Sequence, residues 1–95
     1  MVMFNPSSPG EIVAETLEDG KISLRKFAAA MDIAPSTASR FLNGKVAVTP
    51  EMAMKLAVVI GGDAESWLSL QNNYSLAQAR KKIDVSHLHR LAFAC

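Results

Sequence analysis

Cysteine occurs once in this sequence, as Cys95 at the final position, so no disulfide can close within the chain. That excludes a disulfide-stapled scaffold and is compatible with a reducing cytoplasm, the expected location. No apolar run approaches the 18 or so residues a membrane span requires, so no transmembrane helix is expected. The amino end, MVMFNPSSPG, lacks the basic region and the long apolar stretch of a signal peptide. Period-2 alternation long enough for a sheet is missing, as are internal repeats and low-complexity tracts. There is no Gly-rich phosphate loop and no nucleophile–base pair, and no histidine lies within a predicted helix of the core, so an enzyme is not expected. His87, His89 and Cys95 have an H-x-H spacing at a ragged end with no fourth ligand nearby, which does not make a metal site. No cofactor is implied.

Net charge is also scarce. A formal +1 is mild for a nucleic-acid binder, where a basic surplus is common. The distribution matters more than the total. Lys21, Arg25, Lys26, Arg40 and Lys45 fall close together, offset only by Asp32, whereas most acidic residues lie outside that window. The charge is segregated along the chain, and a local basic face is expected. With 49% hydrophobic and 20% charged residues, the chain has the balance of a folded protein rather than a disordered tail.

What is present is helix punctuation. Residues 1–7 read as a flexible arm. Ser8-Pro9-Gly10-Glu11 is a capping box with proline at the first helical position. The helix it opens should point Ile12, Val13, Thr16 and Leu17 inward, show Glu11, Glu15 and Glu18 to solvent, and end at Gly20. Ser23 caps a second helix, Leu24 to Met31, with Leu24, Phe27, Ala28 and Met31 on one face. Asp32-Ile33-Ala34 is a turn, and Pro35 starts a third helix that ends at Asn43-Gly44. Thr49-Pro50 opens a fourth, running to about Ile60 and apolar nearly all round. Such a helix is buried on most sides or partly covered by a partner subunit. Asp63 caps a fifth, reaching about Lys82 and carrying Trp67, Leu70, Tyr74 and Ala77 on one stripe. The tail, 83–95, is expected to hold a short helical turn from Ser86 to Leu91. The expected fold is all-α, one domain of five helices with its helical core at 8–82.

Two short helices across a tight turn, the second polar on its outer face, describe a helix-turn-helix reader of double-stranded DNA. The base-reading candidates are Ser36, Thr37, Ser39, Arg40 and Asn43 on the third helix. Ser36 and Arg40 are four residues apart and share a face, and an arginine can bond guanine through both its donors. Ser23, Arg25, Lys45 and Thr49 are the phosphate-contact candidates, which would set register. The plain alternative is a solvated helix face. A reader this small normally works as a homodimer on a palindromic operator with half-sites ~34 Å apart. Trp67, Leu70, Tyr74 and Ala77 are therefore read both as core and as dimer contact, Trp67 mostly as core.

The stretch SLRKFAAAMDIAPSTASRFLNGK resembles the helix-turn-helix of phage-repressor-like proteins of the Cro/cI or xenobiotic-response-element type. PGEIVAETL, APSTASRFLNGK, VTPEMAMKLAVVIGG and WLSLQNNYSLAQAR, in that order, resemble antidote proteins of the HigA type, also termed VapI-like. The similarity spans Pro9 to Arg80. It implies a five-helix lambda-repressor-like DNA-binding domain whose helices 2 and 3 form the reader. It also implies an antitoxin of a type II toxin–antitoxin module that represses its own operon and inactivates a small basic ribonuclease toxin by direct binding. A stand-alone transcriptional regulator without a toxin is the alternative. One departure stands out: the turn often carries a left-handed glycine where this chain has Asp32, and aspartate tolerates that conformation better than most residues.

Overall fold

The computed structural model describes residues 6–92, in five helices: α1 Pro9–Asp19, α2 Leu24–Met31, α3 Pro35–Leu42, α4 Pro50–Val59 and α5 Ala64–Lys82. Four of the five begin where a side-chain cap dictates. Ser8 Oγ accepts from the Glu11 amide at 3.2 Å, and the Glu11 carboxylate accepts from the Ser8 amide at 3.1 Å, closing the expected capping box. Ser23, Thr49 and Asp63 do the same for α2, α4 and α5, each accepting from the amide three residues on. The Ser66 backbone amide, and then the Ser66 hydroxyl, bond the Asp63 carboxylate, favour its charged form and set its pKa below the ordinary value.

The ends of α1, α2 and α3 share one device. After α1, the Lys21 amide donates to the Glu18 carbonyl and the Ile22 amide to the Leu17 carbonyl. The same pair of bonds closes α2 through Asp32 and Ile33, and α3 through Gly44 and Lys45. Each closure needs one left-handed residue. Asp32 fills that place at φ 56°, as its position in the turn predicts, and Gly44 does so at φ 75°. At the end of α1 the expectation shifts by one residue: Gly20 is right-handed at φ −85°, and Lys21 takes the left-handed turn at φ 56°.

The helices pack α1 on α3, α2 on α3, α4 on α2 and α5, and α5 back on α1. Val13 and Leu17 of α1, Phe27 and Met31 of α2, Phe41 of α3, and Met52 and Leu56 of α4 meet in one core, closed by Trp67. The Phe27 and Phe41 rings stack with centroids 6.3 Å apart, fixing α2 against α3. Gly10 lets α1 seat on α3: a Cβ there would lie 1.7 Å from the Phe41 carbonyl oxygen.

Two expectations change, at Thr16 and in the tail. Thr16 is exposed, its hydroxyl donating to the Ile12 carbonyl at 3.0 Å, because the inward stripe of α1 narrows to Val13 and Leu17 with Ile12 half-buried. α4, apolar nearly all round with Glu51 and Lys55 the breaks, is buried or half-buried on most sides as expected, and Met54 and Val58 on the remaining side are 65% and 85% exposed. The tail forms no helix over Ser86–Leu91, only a turn in which the Leu88 amide reaches the Val85 carbonyl at 3.0 Å. Of the proposed arm and tail, residues 1–5 and 93–95, with Cys95 among them, lie outside the described residues. Among the described residues no helix is long and apolar enough to cross a membrane.

Candidate nucleic-acid interface

α3 buries Ala38 and Phe41 and half-buries Leu42, so the opposite side must face out. Ser36, Arg40 and Asn43 form that exposed stripe, with Thr37 and Ser39 half-buried along its edges. All five base-reading candidates thus share one outward sector, although their roles differ. Asn43 folds its amide nitrogen back onto the Ser39 carbonyl at 2.9 Å, committing that donor to the end of the helix. Arg40 is the exposed cation on the same stripe, two short hydroxyl side chains lying a turn before it.

The start of α3 differs from those of the other four helices. Its N-cap is Ala34, which supplies no side-chain acceptor, so its first-turn amides lack the side-chain partner that Ser8, Ser23, Thr49 and Asp63 give elsewhere. Unpaired amides add to the positive end of the helix dipole and favour an anion or a base acceptor placed against them. Pro35 at the first helical position lacks an amide hydrogen, which reduces the cost of leaving that end uncapped.

The phosphate candidates Ser23, Arg25, Lys45 and Thr49 are all exposed. Ser23 and Thr49 already use their oxygens as helix caps and keep only their hydroxyl protons for a further acceptor. The dimer candidates divide. Trp67 is 7% exposed and its indole N–H donates to the Gly61 carbonyl at 2.9 Å, so it pins the turn between α4 and α5. Leu70, Tyr74 and Ala77 are half-buried. His87 and His89 are exposed on the tail.

Gln71 was not singled out by the sequence, yet it anchors the loop that follows the reader. Its buried Oε1 accepts from the Val48 amide at 2.8 Å, and its Nε2 donates to Ser75 Oγ at 2.9 Å. This holds 45–49, with Lys45 and Thr49, against α5. The signal was a polar residue four positions after Trp67, where the stripe calls for an apolar one.

The helix-turn-helix family model matches residues 13–67, from within α1 through the start of α5. The chain is 59% identical over 91 residues to an uncharacterised HTH-type transcriptional regulator, YddM, of Escherichia coli K12, across 96% of this chain and 97% of that protein. It is similar to the solved addiction module antidote protein of the HigA family from Coxiella burnetii, at TM-score 0.77 and 36% identity over 83% of this chain and 87% of that one. It is also similar to Pseudomonas aeruginosa antitoxin HigA, solved with the higBA promoter, at TM-score 0.74 and 31% identity over 80% of this chain and 84% of that one. With five helices in this order and the second and third forming the motif, the chain belongs to the Cro/cI-like helix-turn-helix family, among relatives that include HigA-family antitoxins.

Proposed function

We propose that this chain is a sequence-specific DNA-binding antitoxin that acts as a homodimer, represses its own operon through a palindromic operator and neutralises a small basic ribonuclease toxin. The observation that carries the DNA-reading part is the outward stripe of α3, Ser36–Arg40–Asn43, which starts at the uncapped helix end. A related antitoxin at 31% identity, solved with its promoter, supports the same reading. Arg40 bonds a guanine edge, Ser36 and Thr37 let the helix seat deeply, and Arg25 and Lys45 hold phosphates. Ser23 and Thr49 add hydroxyl donors to phosphates.

The test is operator binding by fluorescence anisotropy, using the DNA upstream of the chain's own gene. Arg40→Ala weakens specific binding by about 1–3 kcal/mol and relaxes preference at one base per half-site, while thermal stability stays unchanged, since Arg40 is exposed. An unchanged affinity and preference would remove Arg40 from the reading face. Lys45→Ala leaves preference intact and lowers the salt slope by about one unit per lost phosphate contact.

The toxin half of the proposal rests on charge. Glu15, Glu18 and Asp19 are exposed on α1, away from the reading stripe in sequence and opposite in sign to a basic ribonuclease. Co-expression with the protein encoded next door tests it: growth arrest that this chain fails to relieve removes the antitoxin role. The second reading, a stand-alone regulator, draws on the regulator relative at 59% identity and predicts no small basic protein encoded alongside.

A further inference from the structure

The loop between α3 and α4, residues 45–49, carries two of the phosphate candidates, Lys45 and Thr49, and both are exposed. Its ends are set locally. The Lys45 amide donates to the Arg40 carbonyl at 2.9 Å, closing α3, and Thr49 Oγ1 accepts from the Met52 amide at 3.2 Å, capping α4. Its middle is set from far along the chain. Val48, 5% exposed, donates its amide to Gln71 Oε1 at 2.8 Å across 23 residues. Every other side-chain hydrogen bond among the described residues joins groups six or fewer residues apart. A backbone amide can only donate, so the carboxamide must turn its oxygen toward Val48, and its Nε2 donates to Ser75 Oγ at 2.9 Å. Tyr74, three residues after Gln71 on the same side of α5, brings its hydroxyl to the start of the loop. A Cβ on Gly44 would stand 4.0 Å from that hydroxyl. One face of α5 thus meets the chain leaving the reader at both Gly44 and Val48.

We propose that Gln71 is a positioning residue for DNA binding: acting through the Val48 amide, it fixes the loop so that Lys45 meets a phosphate, and Ser75 in turn holds the Gln71 carboxamide. The inference rests on the DNA-binding reading given above and gives a part in it to a residue that touches no DNA. Gln71 is neutral and 9% exposed, so by itself it neither neutralises a phosphate nor releases a counterion. Lysine is a point charge on a flexible stem, so the part of Lys45 that the fold can place in advance is its backbone. A loop released from Gln71 has to be ordered at the moment of binding, at the expense of affinity.

Base choice is held by other contacts. α3 is seated by the Phe27–Phe41 stack and by the close approach of Gly10 to the Phe41 carbonyl, and neither involves Gln71. The phosphate grip and the reading stripe are therefore separable. Loss of the Gln71 bond weakens binding to every DNA sequence alike, and it does so in the salt-dependent part of the affinity.

A double-mutant cycle of Gln71→Met and Lys45→Ala in the full chain tests this, with operator and unrelated duplex DNA each titrated over a range of salt. Methionine fills the same space but is only a weak acceptor, so a packing role survives the change and a positioning role does not. Gln71→Met keeps the ratio of operator to unrelated binding and lowers the salt slope by up to about one unit. The parent's advantage then shrinks about threefold between about 50 and 200 mM salt. In the Lys45→Ala background the same change lowers the slope no further, the non-additivity of two residues acting through one contact. Ser75→Ala, at an exposed position, leaves the core intact and gives a smaller loss of slope in the same direction. It carries the test if Gln71→Met does not fold, and the parent's slope there overturns the proposal. A folded Gln71→Met protein with the parent's slope, or slope losses that add in the double variant, overturns the positioning role and leaves the DNA reading standing. Lys45→Ala with the parent's slope overturns the phosphate role of Lys45 and the positioning with it.

Discussion

Gly10→Ala separates two ways of reasoning about this chain. By helix propensity alone the change is favourable, since alanine exceeds glycine by up to about 1 kcal/mol within a helix. The packing predicts the reverse. An alanine Cβ would stand 1.7 Å from the Phe41 carbonyl oxygen, 2.7 Å from its carbon and 3.3 Å from Leu42 Cα. All three are backbone atoms of α3 and its end, with no side chain to swing away. Restoring ordinary contact means moving α1 off α3 by about 1.5 Å, and a gap of even 0.5–1 Å forfeits a quarter to a half of a contact's dispersion energy. Val13 and Phe41, both fully buried, would lose contacts along that seam. The cost falls at the upper end for overpacking, about 3 kcal/mol or more. A domain of this size has roughly 5–14 kcal/mol in total, and the melting temperature should fall by about 12–24 °C. Urea unfolding followed by circular dichroism measures it, with Gly20→Ala as control. There the nearest atom is the tip of the Ile22 side chain at 3.3 Å and φ is −85°, so that change is neutral or slightly stabilising. A Gly10→Ala protein within about 0.5 kcal/mol of the parent, the usual range for harmless substitutions, would refute the close seating of α1 on α3. Because that seating also sets the tilt of α3, a folded variant should bind operator more weakly despite keeping every candidate contact residue.

Gln71→Leu leaves the Val48 amide buried without a partner and should cost about 1–3 kcal/mol. Hydrogen exchange at Val48 should accelerate beyond the change in global stability, and exchange no faster than the global rate would argue against the anchor. Lys21→Gly relieves a left-handed lysine and should raise stability by about 0.5–1 kcal/mol, with Asp32→Gly giving less because aspartate suits that conformation better. A lower melting temperature in both would contradict the helix ends described. Asp63 has its pKa lowered by the amide and hydroxyl of Ser66, so its contribution is present above the ordinary carboxylate value and lost as pH falls through the lowered one. Asp63→Asn keeps a capping oxygen but cannot titrate, so its acid unfolding limb should be shallower than the parent's, and an identical limb would dismiss the cap as a source of acid sensitivity.

Five helix starts, the reader and its outward stripe were legible in the sequence for one reason: they depend on neighbours within a turn or two. Ser8, Ser23, Thr49 and Asp63 cap amides three residues away, and the spacing of Ala38 and Phe41 fixes which side of α3 turns inward. Asp32 as the left-handed residue of the turn was likewise a local matter. Tertiary structure decided what local pattern leaves open. Only the approach of α1 to α3 shows that Gly10 has no room for a Cβ, because the atom it would strike is more than thirty residues along the chain. Gln71 meets Val48 across 23 residues, which no helical period encodes. Composition made α4 look buried on most sides or partly covered by a partner; only the packing shows which side is left, with Met52, Ala53 and Leu56 buried, Val59 packed against the core, and Met54 and Val58 outside. The sequence determined where helices begin, turn and present polar side chains, through short-range hydrogen bonds and periodicity. Packing between distant segments decided which of those side chains are seated, which are held, and which apolar surface is left exposed.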